Sequence, residues 1–295
     1  MSLLTYFFLP AVSAILCACV DRPDEIIACG DDQVIIIDKK ASRADDVKIN
    51  WRWKVSDAED LPSEYQELMV PTDDCKPVDG SRKILVTSSG GGAVLIDRET
   101  KKSLFYARVP NAHSAELLPG GLIAVALSTA EGGNSLELYD INKPEEVLYR
   151  DSLYSGHGVV WMDKTRLLFA LGYDQLRSYS LQSSVSGKPE LRLIERYFLP
   201  DNGGHDLSIV SENRLLLTTG KNVWIFDTNT GQFAPFEPLK DLVNVKSVNY
   251  NEKTGELVYT KGEISWWTHN IYFKNPDKVI TITDINLYKV RTIPK

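Results

Sequence analysis

GGHDLSIVSENRLLLTTGKNVWIFD, residues 203–227, contains the plan on which the rest of the chain is organised. A histidine opens a short strand at residues 205–210, a polar turn follows, and an apolar strand covers residues 215–219. A third strand at residues 222–226 leads through the turn DTNTG to a fourth, poorer strand near residues 232–236. Short apolar runs bounded by Gly, Asn, Asp and Ser are typical of antiparallel strands joined by turns. The stretch therefore predicts one unit of four strands.

The same plan recurs along nearly the whole chain, with a spacing typical of repeat proteins. The last copy carries a longer insertion that contains Trp266 and Trp267. That copy opens at Lys246, and the other copies open at or near Lys76, His113 and His157.

The first unit lacks its first strand, whereas the end of the chain has a strand without partners. Residues 25–30, 33–38 and 50–55 supply strands two to four, and residues 287–292 follow the sixth unit. We expect residues 287–292 to complete the N-terminal unit and so to close a ring. Six four-stranded units around one axis make a six-bladed β-propeller, which leaves only short, protected strand edges. The predicted fold class is therefore all-β, a six-bladed propeller of four-stranded blades.

Residues 1–19 differ from the repeat. They are apolar over a run too short to span a bilayer comfortably, and they end in LCAC, which resembles a bacterial lipobox with Cys19 as the lipidated residue. We predict a lipoprotein-type signal peptide over residues 1–19 and a single propeller domain over residues 20–295. The expected location is the cell envelope, in the periplasm or at the outer-membrane surface, with the lipid anchor as the membrane contact. The sequence departs from the usual signal in one respect, because no Lys or Arg precedes Cys19. A buried N-terminal strand is the alternative.

The charge balance argues against one class of partner. The formal net charge is −7, and no segment carries a stripe of basic residues. Nucleic-acid-binding domains show such a stripe or patch. We therefore predict no nucleic-acid partner.

Two short features have structural interpretations. Cys29 and Cys75 fall in neighbouring units without zinc-site spacing, so buried free thiols are predicted and a disulfide between them is the alternative. The run GGG at residues 90–92 precedes a strand rather than a helix, so it is interpreted as a hairpin turn and not a phosphate loop. A helical turn is expected near residues 63–68, between the first two units.

The leading positions of the units form the candidate site. The first strand of a propeller blade is the innermost, so its opening residue lies near the mouth of the central channel. Side chains alternate along a strand, so equivalent positions should share one orientation, which we expect to be inward. Three of the four histidines take this position. Counting back about nine or ten residues from each second strand gives Lys76, His113, His157, His205 and Lys246, with Lys289 or Tyr288 in the closing strand.

A ring of residues that can carry positive charge favours an anionic ligand. We predict a pocket for a small anion or an anionic carbohydrate, such as a uronate- or sulfate-bearing glycan. A divalent metal held by the three histidines is the alternative, since three-His sites are known, although the lysines oppose a cation. No other cofactor is predicted. The ligand-binding candidates are Lys76, Lys246, Lys289 and Tyr288.

The same histidines, His113, His157 and His205, are the candidate catalytic residues. Abstraction of a proton next to a carboxylate needs a base with a near-neutral pKa, which His supplies, and a cation to stabilise the enolate, which Lys supplies. That chemistry is uronate β-elimination, so the ring is compatible with a lyase. Asp206 is not expected to form a dyad with His205, because adjacent strand residues face opposite sides.

Several segments carry a family resemblance: NAHSAELLPGG, GHGVVW and GGHDLS around the histidines, and IYFKN with LYKVR near the end. With the lipobox-like start, they resemble an uncharacterised family of six-bladed propeller lipoproteins found largely in Bacteroidetes. The resemblance covers nearly all of the mature chain. It implies a propeller fold and an envelope location, and it carries no established activity. Propeller lyases that act on uronates are analogies of fold alone.

The competing class is a non-catalytic binding or scaffold protein. In such a protein the channel residues hold a glycan, or the propeller face docks another envelope protein. Trp266 and Trp267 are suited to stacking on sugar rings, but adjacent tryptophans in an extended segment should point to opposite faces, which favours ordinary packing under a loop. The sequence leaves the choice between enzyme and binding protein open.

Overall fold

The computed structural model describes residues 24–294, which form six four-stranded antiparallel sheets. Each sheet is one blade, and the first strands of successive blades contact one another around a common axis. The predicted six-bladed β-propeller is therefore confirmed. The predicted signal peptide, with Cys19, lies outside the described residues. Within residues 24–294, no helix combines the length and the apolar character needed to cross a membrane.

Strands follow the chain from the axis outward in every blade except the first, where the last strand of the chain is innermost. The first three blades contain β24 (Leu287–Thr292), β1 (Glu25–Gly30), β2 (Gln33–Asp38) and β3 (Ile49–Lys54); β4 (Thr72–Val78), β5 (Lys83–Ser88), β6 (Gly92–Asp97) and β7 (Ser103–Arg108); and β8 (Ala112–Leu118), β9 (Leu122–Leu127), β10 (Ser135–Asp140) and β11 (Tyr149–Ser152). The other three contain β12 (Gly158–Met162), β13 (Leu167–Leu171), β14 (Gln175–Ser183) and β15 (Pro189–Phe198); β16 (Asp206–Ser211), β17 (Arg214–Thr218), β18 (Val223–Asp227) and β19 (Gln232–Pro235); and β20 (Val245–Tyr250), β21 (Leu257–Lys261), β22 (Asn270–Lys274) and β23 (Lys278–Thr281).

Helical structure within the described chain is confined to connections between blades. It consists of the α-helix α1 (Ser63–Leu68) and two 3₁₀ turns, Val55–Asp57 and Glu237–Leu239. The helical turn expected near residues 63–68 is therefore confirmed. The hairpin interpretation of residues 90–92 is confirmed as well, since this run joins β5 to β6.

Strand β24 closes the ring, as the incomplete first unit predicted. It pairs antiparallel with β1, with Val290 opposite Ala28. The gap between the sixth and first blades is filled by apolar side chains, among them Val258 and Ile271 of one blade against Ile35 of the other. Full burial of such a side chain contributes about 1.5–3 kcal/mol. Ring closure is therefore stabilised by packing as well as by strand pairing.

The apolar runs of the inner strands follow from the blade stack. Each blade lies between two neighbours, so β1 and β2 are buried on both faces, whereas the outer β3 alternates between more and less buried residues. Cys29 in β1 and Cys75 in β4 are free and buried, as predicted. Burial raises the pKa of the Cys75 thiol well above its usual range, so this thiol is protonated at neutral pH.

A β-bulge at the start of the innermost strands determines which side chains reach the axis. In the third blade Ala112 and Ser114 pair with successive residues of β9, so His113 is the extra residue. The first, second and sixth blades have the same irregularity in β24, β4 and β20. Their extra residues are Tyr288, Asp73 and Lys246.

The fourth and fifth blades show the equivalent hydrogen bonding. The N–H of His157 donates to the carbonyl of Leu171 at 2.9 Å, and the N–H of His205 donates to the carbonyl of Thr218 at 2.9 Å. Those acceptors lie opposite the next residue of each strand. Because a bulge re-aims side chains, the bulged residue and its successor can both face the axis. We call the six bulged residues the mouth ring: Asp73, His113, His157, His205, Lys246 and Tyr288.

Candidate ligand pocket

The mouth ring surrounds a concave pocket at one end of the channel, here called the axial pocket. Its volume is about 350 Å³, within the range of small-molecule sites. Five mouth-ring residues line it, and the sixth, Lys246, lies directly behind His205 and Trp266. The wall of the pocket also includes Trp267, Ser128 and Ser155.

The three leading histidines are in contact with one another. The rings of His113 and His157 stack with centroids 4.3 Å apart and an interplanar angle of 14°. The ring of His205 meets His157 edge to face, with centroids 4.9 Å apart. The structure thus brings together the residues that the repeat placed at equivalent positions. Their catalytic or metal-binding role stays a prediction.

Hydrogen bonds determine where two of these imidazoles carry their protons. His157 Nδ1 lies 2.9 Å from the carbonyl oxygen of Ser155, which can only accept, so Nδ1 carries the proton and Nε2 keeps a free lone pair. His205 Nε2 lies 3.3 Å from Lys246 Nζ, so the ammonium donates and His205 carries its proton on Nδ1.

Two ring nitrogens in this wall are buried without a hydrogen-bond partner among the described residues: Nδ1 of His113 and Nδ1 of His205. Nearly all buried polar groups in native proteins are paired, because an unpaired one costs about 1–3 kcal/mol. Unpaired groups of this kind beside a concave pocket indicate a place where a ligand or ordered water supplies the missing partner.

The histidines are neutral at pH 7, which corrects the picture of a cationic ring. Burial, aided by neighbouring His157 and lysines, holds the pKa of His113 well below its usual range. Burial lowers the pKa of His157 to about 4 and that of His205 to about 2. Imidazoles packed against one another and away from water cannot readily take up protons. The three rings therefore supply neutral donors and acceptors rather than positive charge.

The positive charge closest to the pocket is that of Lys246. Its side chain is almost fully buried, with 1% of the residue exposed, and Nζ lies 4.7 Å from the centre of the Trp266 ring. Burial and the nearby Lys289 lower the pKa of Lys246 to about 8, so it is mostly an ammonium ion at pH 7. Within residues 24–294, no carboxylate lies within salt-bridge distance of this amine. Its contacts are the neutral His205 ring and the Trp266 ring, and it has no counter-ion among these residues.

Asp73 lies in the mouth ring next to His113, in the neighbouring blade. Burial raises the pKa of its carboxyl to about 7. One carboxyl oxygen accepts a hydrogen bond from the backbone N–H of Ser89, and the other lies 3.8 Å from His113 Nδ1. Near neutral pH this carboxyl can therefore either hold or release a proton.

Lys289 does not line the axial pocket but lies beneath it, in a buried network that we call the plug: Asp74, Asp206, Lys289 and Arg291. Arg291 binds Asp74 at 2.9 Å and Asp206 at 2.6 Å. Lys289 Nζ lies 3.2 Å from Asp206 and 3.3 Å from each of the carbonyl oxygens of His113 and His157. Two positive charges here match two negative ones, and Lys289 holds the backbone that carries the stacked imidazoles.

Lys76 lies on the far side of the plug, so its predicted equivalence with the histidines is wrong. The bulged residue of β4 is Asp73, and Lys76 comes three residues later. Its amine donates to the carbonyl of Val159 and lies 3.3 Å from Glu116, and both charged side chains line a second cavity of about 210 Å³, the lower pocket. The sequence contained the signal for Asp73, because counting back ten residues from Lys83 reaches it.

The bulge also corrects the expectation for Asp206. Asp206 faces the axis like His205 rather than the opposite side, because two successive residues of a bulge can share one side. The absence of a dyad has another cause: the carboxylate of Asp206 is bound to Arg291 and Lys289. Trp266 and Trp267 likewise both line the pocket, since they belong to a tight turn, with Ile264 bridged to Trp267, and not to an extended segment.

The arrangement of the rings does not favour the metal alternative. Within residues 24–294, no group of three or more His, Cys, Asp or Glu side chains is placed so that it could hold a metal ion. Imidazole nitrogens bind metals through lone pairs in the ring plane, so two nearly parallel stacked rings do not aim at one point. Nδ1 of His157 is moreover occupied by the Ser155 carbonyl.

Comparison with known proteins places the chain in a group without assigned activity. The model of one family, described as "Family of unknown function (DUF6528)", matches residues 18–294. No curated protein matches the chain. The match agrees with the expected uncharacterised domain. The Bacteroidetes origin and the lipoprotein character of that expectation stay predictions.

Proposed function

From the premise that the chain belongs to this family of unknown function, DUF6528, we propose that the protein binds one anionic sugar residue, a uronate or a sulfated sugar, in the axial pocket. The observation that carries this proposal is the buried ammonium of Lys246, which has no counter-ion within the described chain. A buried charge without a counter-ion is costly, and a bound anion would relieve this cost.

The wall beside Lys246 suits a sugar. Trp266 and Trp267 offer aromatic faces to the apolar side of a pyranose ring, and Ser128 and Ser155 offer hydroxyls to its polar edge. His205 stands between Lys246 and the pocket, and its Nδ1–H is a donor without an acceptor. An anionic group on the ligand could take this donor while lying close to the ammonium.

The direct test compares two lysines. Titration of the protein with a uronate monosaccharide, followed by calorimetry, should give binding that Lys246→Met abolishes or weakens more than tenfold. Lys76→Met is the matched control, because Lys76 lies at the other end of the channel and should leave affinity unchanged. Equal affinity of wild type and Lys246→Met would contradict the proposal.

Binding of the anion should also depend on pH. The ammonium form of Lys246 is lost as pH rises through about 8, and Asp73 becomes a carboxylate as pH rises through about 7. Both changes disfavour an anion, so the dissociation constant should increase between pH 6 and pH 9. An affinity that is constant over this interval would count against the charge-based mechanism, and Lys246→Met should flatten its upper part.

A second candidate function, a uronate lyase, is favoured by one feature of His157. Its Nε2 has a free lone pair and no hydrogen-bond partner within the described chain, so it is open to accept a proton. The pKa of His157, about 4, makes it a weaker base than the near-neutral base that this chemistry favours. In β-elimination this nitrogen would take the proton next to the carboxylate and the bond to the leaving oxygen would break. A carbon–carbon double bond would form as the leaving oxygen took a proton from protonated Asp73.

Oligouronates incubated with the protein separate the two functions. A lyase gives an unsaturated product seen by ultraviolet absorbance, and His157→Gln should remove it while leaving the ligand bound. Bound but unchanged oligosaccharide identifies a non-catalytic binding protein. Absence of any glycan binding would favour the scaffold alternative, in which the propeller docks another envelope protein.

For location, we propose a lipid anchor at Cys19 in the cell envelope. Glu25, the first residue of β1, lies at the end of the blade opposite the mouth ring, beside the chain that follows β24. Four residues separate Cys19 from Asp24 and span at most about 18 Å when extended. Such an anchor would direct the axial pocket away from the membrane. Cys19→Ser should release the protein from membranes, and retention of this variant would contradict the anchor.

A further inference from the structure

We propose that the axial pocket continues into a second sugar subsite on the same face of the propeller, so that the ligand is an acidic oligosaccharide rather than a single sugar. This rests on the proposed function. The second subsite, here called the rim groove, lies beside the fourth and fifth blades and has a volume of about 590 Å³. Its walls include Tyr173, Leu199, Pro200, Asp201, Asn202 and Lys221.

One connection joins the two subsites. Residues 199–202 line the rim groove, and His205 lines the axial pocket three residues later. The carbonyl of Tyr173 accepts hydrogen bonds from Gly203 N–H at 2.7 Å and Gly204 N–H at 3.1 Å. This connection is therefore fixed in place, and three residues of extended chain span only about 10 Å. Adjoining sugar residues of one chain could occupy both subsites.

Two exposed tyrosines stand between the subsites. Tyr154 is 59% exposed and Tyr173 is 40% exposed, and their rings meet edge to face with centroids 5.6 Å apart. The N–H of Tyr173 donates to the carbonyl of Tyr154 at 2.9 Å, and the residue after Tyr154, Ser155, lines the axial pocket. Fixed aromatic rings left open to water beside a polar groove are typical of binding surfaces. Their flat faces suit the apolar sides of sugar rings.

Polar groups in the rim groove match the rest of such a ligand. Asp201 accepts a hydrogen bond from Trp224 Nε1 at 3.2 Å through Oδ2, but its Oδ1 is buried without a partner among the described residues. A sugar hydroxyl is a donor of the required kind. Lys221 adds a positive charge to the groove, which complements an acidic sugar. The combination of aromatic ring, unpaired acceptor and ammonium favours an acidic glycan over an apolar peptide.

The experiment measures how affinity depends on ligand length. A uronate monosaccharide and a tetrasaccharide of the same uronate are titrated into wild type, Tyr173→Ala and Phe198→Ala. Phe198 is the matched control, since it is an exposed aromatic residue at the end of β15, next to Leu199, and does not line the rim groove. Melting temperatures establish that each variant is folded.

In wild type the tetrasaccharide should bind at least about tenfold more tightly than the monosaccharide. Tyr173→Ala should remove this advantage and leave monosaccharide affinity unchanged, and Phe198→Ala should behave as wild type. Equal affinity for both ligands in wild type would overturn the rim groove, and so would an equal loss in the two variants.

Failure of the proposed function has a different signature. If only the tetrasaccharide binds, and its binding depends on Tyr173 but not on Lys246, the rim groove stands and the axial pocket does not hold the anion. If the monosaccharide binds in a Lys246-dependent way without any length effect, the axial pocket stands and the rim groove fails. If neither ligand binds, both are overturned.

Discussion

The plug and the mouth ring are adjacent layers of the same channel, yet their charges are arranged in opposite ways. In the plug, Arg291 and Lys289 are each bound to both Asp74 and Asp206. In the mouth ring, Lys246 has a histidine and a tryptophan for neighbours and no carboxylate within the described chain. Buried charges that are paired stabilise the folded protein when one partner cannot be removed without cost. A buried charge without a counter-ion lowers stability, and such a charge is typical of a site where a ligand supplies the counter-ion. The charges of the plug are thus paired within the protein, whereas Lys246 is the residue for which we propose an anionic ligand.

The pKa values carry the same contrast. Although burial opposes ionisation, Arg291 and Lys289 hold the pKa of Asp74 well below its usual range, and they lower the pKa of Asp206. In the mouth ring burial prevails, so Asp73 has a raised pKa and Lys246 a lowered one. The carboxylates of the plug are therefore ionised at neutral pH, while Asp73 and Lys246 of the mouth ring can change their charge near neutral pH.

The largest expected effect comes from breaking the plug. Arg291→Met leaves the carboxylates of Asp74 and Asp206 buried with Lys289 as their only remaining plug cation. Removal of one partner from a buried ion network typically costs about 3–5 kcal/mol. Urea unfolding at pH 7 should show a loss of this size in the free energy of unfolding. A loss below about 1 kcal/mol would show that the ion pairs of the plug do not stabilise the folded protein.

The second prediction tests the neutral histidines of the mouth ring through the pH dependence of stability. The pKa of His157 is about 4 in the folded protein, against about 6.5 for an ordinary histidine. Between pH 6.5 and pH 4 His157 is therefore protonated in the unfolded chain but not in the folded protein. The free energy of unfolding falls as pH drops from about 6.5 to about 4. At about 1.4 kcal/mol per pKa unit, His157 should account for a loss of about 3 kcal/mol.

His157→Gln removes this contribution, so the difference in unfolding free energy between wild type and variant should shrink by about this amount between pH 7 and pH 4. Protonation of the plug carboxylates at low pH destabilises wild type and variant equally. It therefore cancels from the difference between their free energies of unfolding. A difference that is independent of pH would show that His157 is protonated in the folded protein near pH 6, against the picture of a neutral ring.

The sequence predicted the part of this molecule that repetition determines. The order of apolar runs and turns gave six blades, and the missing first strand of the first unit identified residues 287–292 as the closing strand. Equal spacing in the repeat likewise brought His113, His157 and His205 to one place.

The remainder depends on the bulges, which an alternation rule cannot describe. Alternation assigns one inward residue at the start of each inner strand, but the bulge turns two inward, so Asp206 and Lys289 form a second layer beneath the histidines. The protonation states were equally hidden, because a histidine in a sequence carries no sign of whether its neighbours will exclude water. The three histidines are therefore neutral at pH 7, because burial and the neighbouring lysines lower their pKa values.

The smallest expected effect has the opposite sign from the first. Lys246→Met replaces an unpaired buried ammonium with an apolar side chain of similar length, so it should stabilise the unliganded protein by about 2 kcal/mol at pH 7, as replacement of poorly compensated buried charges often does. The matched control is Lys289→Met, which removes a paired amine of the plug and should destabilise the protein. Urea unfolding of both variants at pH 7 measures the contrast. If both substitutions destabilise the protein equally, the ammonium of Lys246 stabilises the free protein, and its charge gives no reason to expect a bound anion. If they differ in sign, the cost that Lys246 imposes on the free protein is what an anion in the axial pocket would recover.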